Sequence, residues 1–235
     1  LAAVYDALNP WSPSDEFYLT RVMRAGSVLD VGCGTGSLLC RARGTGHRGH
    51  LVGADPAEAM LAMAATKRSD VTWLRADARA LDLGRRFELV TMTGHAFQVL
   101  LDDAGVRAAL GAYHRHLDPG GRLAFETRNP AARAWRRWTP EHTRTGVRSP
   151  AGEPFTVWHD LRGVDGDLVR FVTTYRSEAT GETLVSPSTL RFVDPDRLRS
   201  LLTGAGFTVD GWYGDWDGGP VTDSSPEIVV TATRG

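Results

Sequence analysis

Residues 28 to 36 read VLDVGCGTG, a short apolar run broken by one aspartate and followed by glycines at 32, 34 and 36. Few folds accommodate a buried strand that runs straight into a loop almost free of side chains. Glycine tolerates positive φ and lets main chain approach a ligand closely. The helix that follows offers its unpaired N–H groups to the same place. Taken alone, the segment reads either as a tight strand–helix turn or as a cradle for a nucleotide-like ligand.

The rest of the first half has a strand–helix rhythm. After a helix over 12–24, opened by Ser12, Pro13 and Asp15, strands are expected at SVLDV, HLVGA, VTWL, FELVTM and RLAFET. Helices are expected at 35–43, 56–65 and 102–116, and a turn at PGG, 119–121. Such alternation predicts an α/β fold, a doubly wound, mostly parallel sheet with helices on both faces. Beyond Thr127 the pattern changes. A stretch rich in proline, arginine and tryptophan leads to FTVWHDL, LVRFVTTYRS and TLVSPSTLRFV, joined by the turn signals GVDG and ATGE, which read as antiparallel strands. A helix at 194–204 and strands at FTVDGWYG and PEIVVTAT follow. The expected organisation is one domain over 1–235, with a helical lid at 1–26 and an antiparallel insertion at 128–192, after strand five.

Charge and composition narrow the function. A net charge of −1 and a charged fraction of 23% give no global field for DNA or an acidic membrane. The arginines at 133, 136, 137, 144 and 148 invite a nucleic-acid reading, but no recognisable binding module accompanies them. Two cysteines, Cys33 and Cys40, build no disulfide framework, and no histidine or cysteine spacing suggests a metal site. No run approaches the ~18–20 apolar residues of a membrane span. The opening LAAVYDALNP, which begins on Leu1 rather than methionine, lacks the features of a secretion signal. A cytoplasmic protein, monomer or homodimer, acting on a small molecule is expected.

The glycine loop has company. GADP sets Asp55 and Pro56 at the end of the second strand, where a carboxylate can take a ribose diol. LRADAR sets Asp77 just past the third, where an acid can accept from an exocyclic amine. In VLDVGCGTG, GADPAEAMLAMA, LRADARAL, FELVTMTGHAF and LDPGGRLAFE, in that order and spacing, the chain resembles the class I S-adenosylmethionine-dependent methyltransferases. The resemblance covers about residues 27–127 closely and the last helix and strands more loosely.

It implies a Rossmann-like seven-stranded sheet whose final strand is antiparallel, S-adenosyl-L-methionine as cofactor and S-adenosyl-L-homocysteine as product. Asp30 and the loop Gly32, Cys33, Gly34 and Gly36 would hold the methionine part. Asp55 would bind the ribose, Met60 the adenine, and Asp77 and Ala78 its amino edge. Carbonyls near Gly32 and Thr93 would receive the ammonium, and Tyr5 would lid the cofactor. The implied reaction is in-line methyl transfer to an oxygen or nitrogen of a small molecule, in which positioning supplies roughly 7–11 kcal/mol of the barrier. His95, just past the fourth strand, is the candidate base or substrate orienter. Glu126, Arg128, Asn129, Trp135 and Trp138 are candidates for gripping substrate. Three other readings share parts of this pattern: a nicotinamide-dependent oxidoreductase, a nucleic-acid methyltransferase, and a binding protein that keeps the cofactor without catalysis. GCGTG in place of GxGxxG argues against the first, and TGHA in place of an NPPY-type sequence against the second.

Overall fold

The computed structural model describes residues 2–235; Leu1, the first residue of the expected lid, lies outside them. The chain opens with α1 (Ala2–Leu8) and α2 (Pro13–Val22), the latter started by the Ser12 N–H donating to Asp15 Oδ2 at 2.8 Å. Then come β1 (Ser27–Val31), α3 (Ser37–Gly44), β2 (His50–Asp55), α4 (Glu58–Lys67), β3 (Thr72–Arg75), β4 (Phe87–Met92), α5 (Asp103–His116) and β5 (Leu117–Arg128). The segment expected as an insertion holds α6 (Pro140–Thr143), β6 (Thr145–Arg148), β7 (Pro154–Asp165), β8 (Leu168–Ser177) and β9 (Thr183–Arg191). The chain closes with α7 (Pro195–Gly204), β10 (Phe207–Tyr213) and β11 (Glu227–Arg234).

Seven strands form one sheet in the order β10-β11-β5-β4-β1-β2-β3. Pairing from β3 through to β5 is parallel, and β11 runs antiparallel to both β5 and β10. β1 is apolar on both faces because it is covered on both. Leu29 and Val31 join a core with Val106 and Leu110 of α5 and Leu198 and Leu202 of α7. Val28 joins the opposite core with Tyr18 and Val22 of α2 and Leu39 of α3. Each fully buried Val or Leu contributes about 1.5–3 kcal/mol, so neither layer can be lifted off without losing the strand that carries the glycine loop.

Two expectations change in detail. The PGG segment lies within β5 rather than ahead of it: Leu117 pairs with Phe87 and Arg122 with Leu89, so the residues between bulge out, with Gly120 at φ 73°. The insertion holds four antiparallel strands, in the order β6-β7-β8-β9, where three were legible. The extra strand, β6, is only four residues of TGVR with a single partly buried side chain, too short to show an alternating pattern.

Candidate active site

Strand order reverses between β1 and β4, and a crevice of about 580 Å³ opens there at the C-terminal strand ends. This is where open α/β sheets bind ligands, and the volume lies within the range of small-molecule sites, roughly 300–1,000 Å³. Gly32 and Gly34 line it from β1, Asp55, Pro56 and Met60 from the β2–α4 side, and Asp77 and Ala78 from beyond β3. Thr93, Gly94 and His95 follow β4, and Tyr5 contributes from α1.

Gly34 has φ 54°, and a Cβ built on it stands 3.9 Å from the Tyr5 ring; one built on Gly94 stands 4.0 Å from the Tyr5 hydroxyl. Tyr5 therefore hangs over a slot between two glycines that any side chain at 34 or 94 would narrow. Asp55 ties the slot together. Its Oδ2 accepts the Gly34 N–H at 2.9 Å and its Oδ1 the Ala57 N–H at 2.8 Å. Each carboxylate oxygen keeps further acceptor capacity. α1 is held above by the chain's one lysine, Lys67, which pairs with Asp6 and also donates to the Thr35 carbonyl at 3.0 Å.

At the other end of the crevice stands His95, in the left-handed region at φ 60°. Its N–H donates to Glu126 Oε1 at 2.6 Å, and the Tyr18 hydroxyl donates to the other Glu126 oxygen. Its Nε2 lies 2.9 and 3.0 Å from the two oxygens of Glu227. With Glu227 ionised, Nε2 is the ring nitrogen that donates to it. Arg128, opposite Glu227 in the β11–β5 register, donates to Gln98 Oε1 at 2.8 Å and lies against the Trp138 ring. Burial pushes the Glu126 carboxyl above its usual range, against the pull of His95 and Tyr18. Burial also draws the Arg128 guanidinium below its usual range, and Glu227 and Glu126 oppose that.

Residues 28–121 match the family model described as a methyltransferase domain. The cypemycin N-terminal methyltransferase of a Streptomyces species is 29% identical over 225 residues, 88% of this chain and 83% of that protein. The dTDP-3-amino-3,4,6-trideoxy-alpha-D-glucopyranose N,N-dimethyltransferase of Streptomyces venezuelae is 34% identical over 107 residues, 46% of this chain and 44% of its own length. An S-adenosylmethionine-bound amino pentose methyltransferase from Micromonospora echinaspora superposes with a TM-score of 0.73 at 27% identity, covering 99% of this chain and 97% of that one. The segment 28–121 is a methyltransferase domain, and the chain is an S-adenosylmethionine-dependent methyltransferase.

S-adenosylmethionine is its cofactor, and the residues suit that group: a slot of bare main chain for the amino-acid tail, a carboxylate with spare acceptor capacity, and the apolar Met60 and Ala78 beyond it. The methyltransferase does not bring every expected residue to the crevice. Asp30, Cys33 and Gly36 lie outside its lining. Asp30 is buried behind the loop, where Thr91 donates to it at 2.8 Å, and burial pushes its carboxyl up to about 7. The Cys33 side chain is buried toward Gly53. At Gly36 an added Cβ would stand 2.3 Å from the Trp73 ring, so this glycine makes room for the indole.

Asp77 lines the crevice, but both its oxygens are engaged by the Arg79 guanidinium, at 2.9 and 2.6 Å. Those contacts hold its carboxyl down to about 2. Glu126 stands behind His95. Asn129, expected at the pocket edge, spends its amide on the Thr222 and Ser225 carbonyls and its oxygen on the Ala131 N–H, so it fastens the loop ahead of β11. Trp135 packs against Phe192 away from the crevice, while Trp138 sits with Arg128 and Phe171 near its roof.

Glu227, Tyr18, Gln98 and Leu190 were missed. For Glu227 a partial signal existed: an antiparallel last strand starts at the sheet end where strand five finishes, though adjacency and register came only with the structure. The observed register places the glutamate of PEIVV opposite Arg128.

Proposed function

We propose that this methyltransferase methylates an amine nitrogen of a small-molecule acceptor. The observation that carries the reading is the charge at the His95 end of the crevice. Two carboxylates, Glu126 and Glu227, share that region with one arginine, Arg128, so a neutral His95 leaves a negative surplus. Such a surplus draws in an ammonium group and disfavours an anionic nucleophile. When bound, the cofactor supplies a methyl group on a positively charged sulfur. The chain's task is to deliver the acceptor as a free base. His95 accepts the proton at Nδ1 while Glu227 holds the imidazole by Nε2 and stabilises the imidazolium that results. Glu126 fixes the backbone of His95, and Tyr18 ties α2 to the same carboxylate. Gly32, Gly34 and Thr93 hold the methionine tail, Asp55 the ribose hydroxyls, and Met60, Asp77 and Ala78 the adenine, with Tyr5 above. In this reading 1–26 is the lid and 128–192 the acceptor's roof. Relatives named as an N-terminal methyltransferase and as the N,N-dimethyltransferase of an amino sugar support a nitrogen acceptor.

The test offers matched primary amines and alcohols with methyl-labelled cofactor, and measures cofactor affinity separately by calorimetry. Methyl should appear on amines only. His95→Ala and Glu227→Gln should each lower kcat about tenfold to hundredfold, leaving cofactor Kd within twofold. Alcohol methylation, or full turnover in both variants, would overturn the reading.

A further inference from the structure

A second cavity, of about 800 Å³, lies between α1 and the four-stranded sheet. Val4, Phe155, Tyr175 and Leu184 give it apolar walls, and Glu153 and Glu182 stand at its edge. It shares a sheet face with the active site. β8 and β9 pair without a break, Tyr175 with Leu184, Thr173 with Ser186, Phe171 with Ser188 and Val169 with Leu190. Side chains two apart on a strand point the same way. Leu184, Ser186, Ser188 and Leu190 therefore form one row, with Leu184 in the cavity and Leu190 in the active-site crevice. Six residues of strand span about 20 Å. α1 touches both, with Val4 on the cavity and Tyr5 on the crevice.

The chemistry along this row is selective. Among the described residues no lysine or arginine lines the cavity, and Arg128 stands at the crevice end of the row. The acids at the cavity edge repel phosphate. Ser186 and Ser188 are half-buried, and their hydroxyls have no partner among the described residues. They are spaced by the two-residue strand repeat of about 6.8 Å, which is also the repeat of main-chain groups in an extended peptide.

We propose that the cavity receives the far end of the methyl acceptor, and that this acceptor is an extended peptide presenting its amino terminus to His95, with apolar residues at about the fifth or sixth position. This rests on the amine reading above and deepens it: an amine carried on a nucleoside diphosphate finds no counter-charge between Arg128 and the cavity.

The experiment uses the whole chain with S-adenosylmethionine and three probes: dipeptides with free amino termini, hexapeptides with a leucine or valine at positions five and six, and a thymidine-diphosphate-linked amine. Methyl incorporation is followed by mass spectrometry. Hexapeptides should show a KM at least tenfold below that of dipeptides. Leu184→Glu, at a half-exposed site far from the reacting atoms, should abolish that advantage while leaving dipeptide turnover and cofactor Kd unchanged. Equal KM for both lengths, an unchanged hexapeptide KM in Leu184→Glu, or a higher kcat/KM for the nucleotide-linked amine overturns the peptide assignment but leaves the amine reading standing. Methylation of hydroxyl compounds with none of these amines overturns both.

Discussion

Replacing Gly36 by alanine separates two roles that a glycine loop can play. If Gly36 served the cofactor alone, the substitution would weaken cofactor binding and cost the empty protein only the left-handed backbone penalty, about 1–2 kcal/mol. The geometry assigns it to packing instead. The added Cβ meets Trp73 carbons at 2.3 and 2.8 Å and the Ala64 methyl at 3.0 Å, and the backbone sits at φ 73°. Overpacking of this kind costs about 1–3 kcal/mol, and a left-handed alanine about 1–2 kcal/mol. A total of about 3 kcal/mol corresponds to a Tm lower by about 6–12 °C in a domain of this size. The assay is urea unfolding of the cofactor-free protein for wild type, Gly36→Ala, Trp73→Leu and the double variant. Removing the indole relieves the clash, so Gly36→Ala in the Trp73→Leu background should cost only the backbone part, about 1–2 kcal/mol. Two results refute the argument: a Gly36→Ala penalty that is the same in both backgrounds, or a penalty of only the backbone part in wild type with cofactor affinity lost.

Asp55→Ala should raise cofactor Kd at least tenfold and lower stability by about 1–3 kcal/mol, because the Gly34 and Ala57 N–H groups lose their acceptor; calorimetry and thermal melting read the two effects. Asp30 predicts a pH dependence. Its folded pKa, about 7, lies above the ordinary carboxylate value of 3.8. The folded state therefore holds the proton more tightly, and stability should fall as pH rises from about 4 to 7, by up to roughly 4 kcal/mol from this group. Asp30→Asn should flatten that slope in urea titrations. Asp103, held down to about 2 by Arg197 and Arg191, acts in the opposite sense and only below about pH 4. Asp6→Ala releases the partner of Lys67 above the slot; a half-exposed pair is worth about 0.2–1 kcal/mol. Cofactor Kd should therefore rise by no more than about fivefold, while acylation of Lys67 becomes faster.

The order of strands and helices through β5 was legible in the sequence because it is written in local terms. Apolar runs such as VLDV mark strands buried on both faces, Asp102 caps α5 through the Gly105 N–H at 2.7 Å, and glycines mark turns. The residues that touch the crevice from successive strand ends, Gly34, Asp55 and Asp77, were legible for a related reason. In a parallel sheet every strand end falls on the same side, so a polar residue just past each strand lands in one place.

What the sequence by itself determined is therefore the scaffold and the strand-end residues around the crevice, since each depends on spacing within a dozen residues. Only the tertiary structure decided that Glu227 holds His95 across 132 positions, that Gly36 yields to Trp73, that Asn129 fastens a loop, and that Leu184 and Leu190 share one wall. Those pairings depend on which strands become neighbours and in what register. Register is set by the packing of the whole sheet, and no short segment of chain contains that information.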